Sequence, residues 1–220
     1  MQMRKYFGLF AMLLGLAVSA GQARAQEKNG DHPKGEHPKK AEPGDKGGQP
    51  DPAMMAAYEK AGKVGPQHEL LKSRIGSFNH VAKFRMSPDQ PWMESKGATE
   101  RKIIMGGRYV QQETKSAPMM EGGPAFEGLG ITGYDNIQNK FVNFWIDNEG
   151  TGVMISYGTA DGSNKVITYS GEYPDVMVGK LKKVKSVTRY KDDKTEVYEM
   201  YDTGADGKEY VNLEVTYTKK

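Results

Sequence analysis

Residues 133–152 read GYDNIQNKFVNFWIDNEGTG. Turn residues bracket the stretch: Asp135 and Asn136 before it, Glu149 and Gly150 after it. Between them the side chains alternate. Phe141, Asn143, Trp145 and Asp147 share one face, and Val142, Phe144 and Ile146 share the other. A strand in a one-sided antiparallel sheet needs one apolar face and turns the other to water. Here both faces are apolar, and one of them also carries an amide and a carboxylate. A barrel strand meets this description, because one face looks into the barrel and the other forms its wall. The mixed face has the composition of a ligand cavity, mostly apolar with a few polar groups to orient a guest. We therefore expect Trp145 and Asp147 to point inward, and Val142, Phe144 and Ile146 to pack against the helical segment at 53–74. A plainer reading stays open beside this one: Trp145 as a core plug, and Asp147 as the cap of the turn that follows it.

Working outward, period-two runs cover 77–86, 93–105, 108–117, 125–135, 140–148, 152–160, 164–173, 180–191, 194–203 and 208–218. Short turn-rich breaks separate them, such as Gly106-Gly107, Asp161-Gly162-Ser163 and Gly204-Ala205-Asp206-Gly207. A meander of that length exposes two edges unless it closes on itself. The expected fold is mainly β: an antiparallel up-and-down barrel of about ten strands over 76–220. A short broken helix precedes it at 53–75, interrupted by Gly65-Pro66.

The N-terminal end reads differently. Arg4 and Lys5 precede an apolar run from Tyr6 to Val18, and Ala23-Arg24-Ala25 offers small residues for cleavage. That is the pattern of a signal peptide over 1–25, cut after Ala25, which places the protein in the periplasm or outside the cell. Residues 26–52 contain no Val, Ile, Leu or aromatic side chain and read as a charged, disordered Pro/Gly-rich linker. The whole chain carries a formal charge of +3. Arg4, Lys5 and Arg24 supply all of it, so the chain from residue 26 onward is formally neutral. Neutrality argues against nucleic acid as a partner. The apolar runs after the leader are too short to span a bilayer, so no stable membrane insertion is expected. Cysteine is absent, which removes disulfides, thiolate metal sites and thiol catalysis.

Several stretches together resemble a bacterial family, domain of unknown function 1579. They are AMMAAYEKAG with GPQHELLKSRIGSF (53–78), MESKGATERKIIMGGRYVQQE (93–113), FEGLGITGYDNIQNKFVNFWIDNEGTGVM (126–154), SGEY (170–173) and YEMYD (198–202). The resemblance implies a calycin-like barrel, similar in pattern to lipocalins and fatty-acid-binding proteins, and carries no activity with it. Lipocalins open their barrel with Gly-x-Trp, the Trp lying under an arginine from a late strand. The matching triplet here is Gly76-Ser77-Phe78. Phe78 can plug a barrel base but cannot donate the indole hydrogen bond.

The candidate ligand-binding residues are Trp145, Asp147, Asn143, Phe141, Gln112 and Arg189. Gln112 shares a face with Arg108 and Val110. Arg189 is the natural partner for Glu214 should that carboxylate face inward. No catalytic residue, metal ligand or cofactor is expected. His32 and His37 read as solvated linker histidines. A copper site on Met119, Met120 and His80 lacks a Met/His repeat to support it, and a single histidine in a strand-rich region such as His80 is far more often structural than a haem ligand. Gly128, Gly130 and Gly133 join strand to strand, so they suit barrel bending better than phosphate binding. Three functions remain in view. The first is an exported barrel binding a small hydrophobic or amphipathic ligand. The second is an envelope scaffold with a filled barrel that recruits a protein partner. The third, an enzyme using carboxylates such as Asp147 and Glu214, has no Ser-His-Asp set or metal cluster behind it.

Overall fold

The computed structural model describes residues 51–175 and 179–220 of the chain. The leader at 1–25 and nearly all of the linker at 26–52 lie outside the described residues. α1, Pro52–Gly62, starts under an Asp51 cap that accepts from the Ala53 amide at 2.9 Å, with proline in the first turn. It buries none of its residues. α2, Pro66–Lys72, is a two-turn helix that buries His68 and Leu71.

Ten strands follow: β1 Gly76–Phe84, β2 Met93–Ile104, β3 Tyr109–Ser116, β4 Phe126–Asp135, β5 Lys140–Asp147, β6 Met154–Ala160, β7 Val166–Asp175, β8 Lys180–Tyr190, β9 Thr195–Thr203 and β10 Glu209–Lys219. Each pairs antiparallel with its sequence neighbour, and β1 pairs with β10, so the sheet closes into a barrel. At the seam Phe78 lies opposite Lys219 and Phe84 opposite Leu213. The closed ladder leaves no strand edge unpaired.

Register fixes which side chains look in. On β2, Ser95, Thr99 and Arg101 are buried while Glu94, Lys96, Ala98, Glu100 and Lys102 are exposed. Carrying that parity across β3 and β4 to β5 puts Phe141, Asn143, Trp145 and Asp147 inside. On β10 a bulge between Val211 and Leu213 shifts the register by one. It brings both Tyr210 and Val215 to the inner face on a strand whose plain alternation would separate them.

The two ends of the barrel differ. Leu71 of α2 joins Val110, Phe141, Ile167, Tyr169 and Tyr190 in one apolar cluster, with Leu70, Ile75 and Ile103 against it. Arg74 follows the helix, stacks over Tyr190 at 4.2 Å and donates to the Asp192 carbonyl at 2.9 Å. α2 therefore stoppers this end. The placement corrects one expectation: the helix covers inward-facing Phe141 rather than the outer face of Val142, Phe144 and Ile146, which stays partly exposed. A seven-residue helix has one short apolar stripe, and the end of a barrel presents a larger apolar target than its wall. The opposite end, where β5 finishes at Asp147, is the mouth.

Candidate functional site

Above the apolar cluster that α2 closes, the interior holds a buried ion pair, and toward the mouth it carries both aromatic and polar side chains. At the base Arg101 is 9% exposed and makes two parallel bonds to Glu196, 2.7 and 3.0 Å long. Its Nε donates to Gln112 Oε1 at 2.8 Å. The guanidinium lies over the rings of Phe78 and Tyr217, 4.7 and 4.6 Å from their centroids. Burial alone lowers a guanidinium's proton affinity, but the charge and hydrogen bonds of Glu196 outweigh it and raise the Arg101 pKa. Phe78 does plug the base, and the arginine above it comes from the second strand rather than a late one.

A hydrogen-bonded chain runs from this ion pair toward the mouth. Gln112 donates through Nε2 to Thr114 Oγ1 at 3.2 Å. Thr114 and Thr99 share a hydroxyl contact of 3.1 Å. Thr99 Oγ1 is 2.9 Å from His80 Nδ1, and His80 Nε2 is 2.7 Å from Ser116 Oγ. Gly97 makes room for the imidazole. A Cβ there would strike the Lys115 carbonyl and lie 2.7 Å from the His80 ring. Burial, and then the charge of Arg101, push the His80 pKa below its ordinary value. Both ring nitrogens are engaged in this network.

Trp145 lies flat against the wall of β4. A Cβ on Gly128 would collide with its indole, and one on Gly130 would come within 3.0 Å. These two glycines are thus explained by the close approach of a ring. Phe126 stacks on Trp145 at 6.3 Å with 13° between the planes. The indole N–H donates to Asp147 Oδ2 at 2.9 Å, and Asp147 Oδ1 accepts from the Glu149 amide at 3.0 Å. Asp147 therefore caps its turn and orients the indole at once. Tyr169 repeats the arrangement on β7, lying close against Gly158. The inward-facing Asn143, Trp145, Asp147, Gln112, Tyr198 and Met200 all keep partial exposure.

The six candidate residues fall into separate places. Trp145 and Asp147 stand together at the mouth. Asn143 is one step deeper and donates to Thr132 Oγ1 at 2.8 Å. Gln112 points inward but is spent on Arg101, Thr114 and Tyr217. Phe141 is 1% exposed in the base cluster beneath α2, so it is core and lines no accessible surface. Arg189 has the opposite parity. It stands on the outer wall and donates to Glu199 Oε2 at 3.1 Å. Glu214 is also outside, 3.8 Å from Lys83, so it neither pairs with Arg189 nor works alongside Asp147. The organising residues that sequence reasoning missed are Arg101, Glu196, His80 and Ser116. The first left a signal: from 94 to 102 the even positions are Glu, Lys, Ala, Glu and Lys, so the odd ones, Arg101 included, form the sheltered face. Glu196 left none, because Glu199 on the other face looks the same in one dimension.

These features define a class: closed, ten-stranded, calycin-like antiparallel barrels stoppered by a helix at one end, with a polar interior. Within that class the chain belongs to the family described as Protein of unknown function (DUF1579), whose sequence model matches residues 63–219. No curated protein matches the chain. Among solved structures it is similar to "Crystal Structure of Rv2717c from M. tuberculosis", with a TM-score of 0.50 at 12% identity, covering 72% of this chain and 99% of that one. It is also similar, more distantly, to "Structure of a redesigned beta barrel, b11L5F_LGL", with a TM-score of 0.36 at 12% identity, covering 70% and 94%. At such identities the first likeness speaks for the fold alone.

Proposed function

We propose that the protein is an exported binding barrel that takes a small, partly apolar molecule through the Trp145 mouth. The observation that carries this reading is the posture of Trp145. Its indole is pinned by Asp147, backed by two glycines and stacked on Phe126, yet it remains partly exposed. An aromatic ring held rigid and partly exposed is suited to contacting a planar guest at low entropic cost. The export half of the reading rests on the leader pattern at 1–25.

Native mass spectrometry of protein purified from its own host tests the binding half directly. One co-purifying small molecule per chain is expected, lost in Trp145→Ala. N-terminal sequencing of the same material tests export, with Gln26 as the expected first residue. Retention of Met1 removes the export claim.

A second reading has an observation of its own. An open groove of about 920 Å³ runs over the outer wall, where Val153, Ile155, Tyr157 and Leu181 are 43, 46, 41 and 65% exposed. Exposed apolar clusters often mark protein contacts. A protein captured through this wall, with no small molecule in the lumen, would favour the scaffold function over the binding one.

A further inference from the structure

The chain of side chains from Arg101 to Ser116 has a direction, and the direction says what its last member offers a guest. A guanidinium only donates, so the Gln112 oxygen must face Arg101 and its Nε2 must donate to Thr114. Thr114 then holds one proton of its own. The hydroxyl partner beside it is Thr99. If Thr114 donates to Thr99, Thr99 donates to His80 Nδ1 and His80 Nε2–H donates to Ser116 Oγ. Every group then both accepts and donates, and the one uncommitted proton sits on Ser116. In the reverse order Ser116 donates to His80 and Thr99 donates to Thr114, which strands the Thr114 proton in the dry interior.

The first order is the favourable one. Thr114 is 6% exposed and Thr99 fully buried, whereas Ser116 is partly exposed at the mouth. An unmade hydrogen bond costs about 1–3 kcal/mol when buried and little where water or a ligand reaches it. Successive donors in one sense also polarise each other. Ser116 is the cross-strand partner of Phe126, which stacks on Trp145. The end of the chain therefore borders the aromatic wall.

We infer that Ser116 is a hydrogen-bond donor aimed into the mouth, and that the guest is an aromatic or similarly flat apolar body bearing a carboxylate. The inference rests on the binding reading above and deepens it. Trp145 and Phe126 take the flat body, and the Ser116 hydroxyl, driven from behind by the Arg101 relay, takes the carboxylate oxygen. A carboxylate fits better than a hydroxyl group. It only accepts, as the geometry requires, and an ionised acceptor makes the stronger bond.

Two probes with one ring system separate the claims: 2-naphthoate and 2-methylnaphthalene. Binding is read from Trp145 fluorescence in the Trp92→Phe background, since the chain has two tryptophans. Naphthoate is expected to bind about tenfold more tightly than methylnaphthalene, the scale of one charge-assisted hydrogen bond. Ser116→Ala removes the donor to the guest together with the acceptor of the His80 Nε2–H; it should erase that preference while leaving methylnaphthalene affinity within about twofold, because the Trp145 and Phe126 rings that take the flat body are untouched. A preference that survives Ser116→Ala overturns the inference. Methylnaphthalene binding with no preference for naphthoate also overturns it and leaves the binding reading standing. No binding of either probe overturns both.

The direction of the relay has its own test, which needs no variant. Nitrogen-15 shifts of the imidazole at neutral pH should show His80 as the neutral Nε2–H tautomer. An Nδ1–H tautomer reverses the chain and overturns the inference.

Discussion

Arg101 and Glu196 are the residues on which the interior is organised, and their pairing is costly to break. A buried charge left without its partner loses about 3–5 kcal/mol. Glu196→Gln should lower the urea midpoint accordingly, while Arg101→Met combined with Glu196→Met should recover most of the loss. A midpoint unchanged in Glu196→Gln means the pair is hydrated in solution. His80 adds a pH dependence. Its folded pKa lies below the ordinary 6.5, so the unfolded chain takes up a proton first on acidification. The stability held by the neutral ring is complete above 6.5 and is lost as pH falls through the depressed folded value. Thermal melting should therefore drop between pH 7 and 5, and drop less in His80→Gln. Asp147→Asn is a finer substitution. The amide oxygen keeps the Glu149 cap, but its NH₂ faces the indole N–H, donor against donor. Trp145 emission should shift and guest binding should weaken, with melting changed by no more than a few degrees. Unchanged emission would show that the indole is held by packing alone.

Among the elements, α2 has an importance out of proportion to its length. Leu71 is 5% exposed and sits in the cluster that closes the base. Leu71→Ala should cost about 2–5 kcal/mol in chemical unfolding, the usual range for a buried leucine. α1 buries nothing, and removing residues before Lys63 should leave the melting temperature within about 2–3 °C, since surface losses are small. The strands were legible in advance because each period-two run was bounded by Gly, Asn or Asp turns. The inner face of β5 was legible for a different reason: only one parity mixed Trp with Asp and Asn. The helix docking was not legible. An apolar pair such as Leu70-Leu71 says that a surface is wanted, not whether the wall or the end supplies it. Nor was the place of Arg189, since on β8 the inner Val184, Ser186 and Thr188 alternate with Val187 and Arg189 and neither set is clearly apolar.

For the molecule as a whole, closure is the dominant fact. β10 contributes Val215 and Tyr217 to the interior and covers an edge on each side, β1 and β9. Deleting residues 209–220 exposes two ladders at once. The truncated chain should elute as aggregate or oligomer in size exclusion rather than as an open monomer, because unpaired edges recruit other strands. A soluble monomer with native circular dichroism would show that the remaining nine strands close without it. Closure also explains why a barrel could be read before any site could. Ten strands without edges are demanded by counting, whereas the Arg101–Glu196 pair joins positions 95 residues apart that no local pattern links.

The β1–β10 seam has a consequence in time. The chain is made from its N-terminal end, and Phe78 must wait for Lys219, about 140 residues later. At ~5–20 residues per second that wait lasts roughly 7–28 s. Throughout it, every nascent chain carries an open strand at β1 and another at whichever stave was made last. The closed barrel has no edge to offer a neighbour, but each unfinished copy has two, and the arrival of β10 decides when that exposure ends.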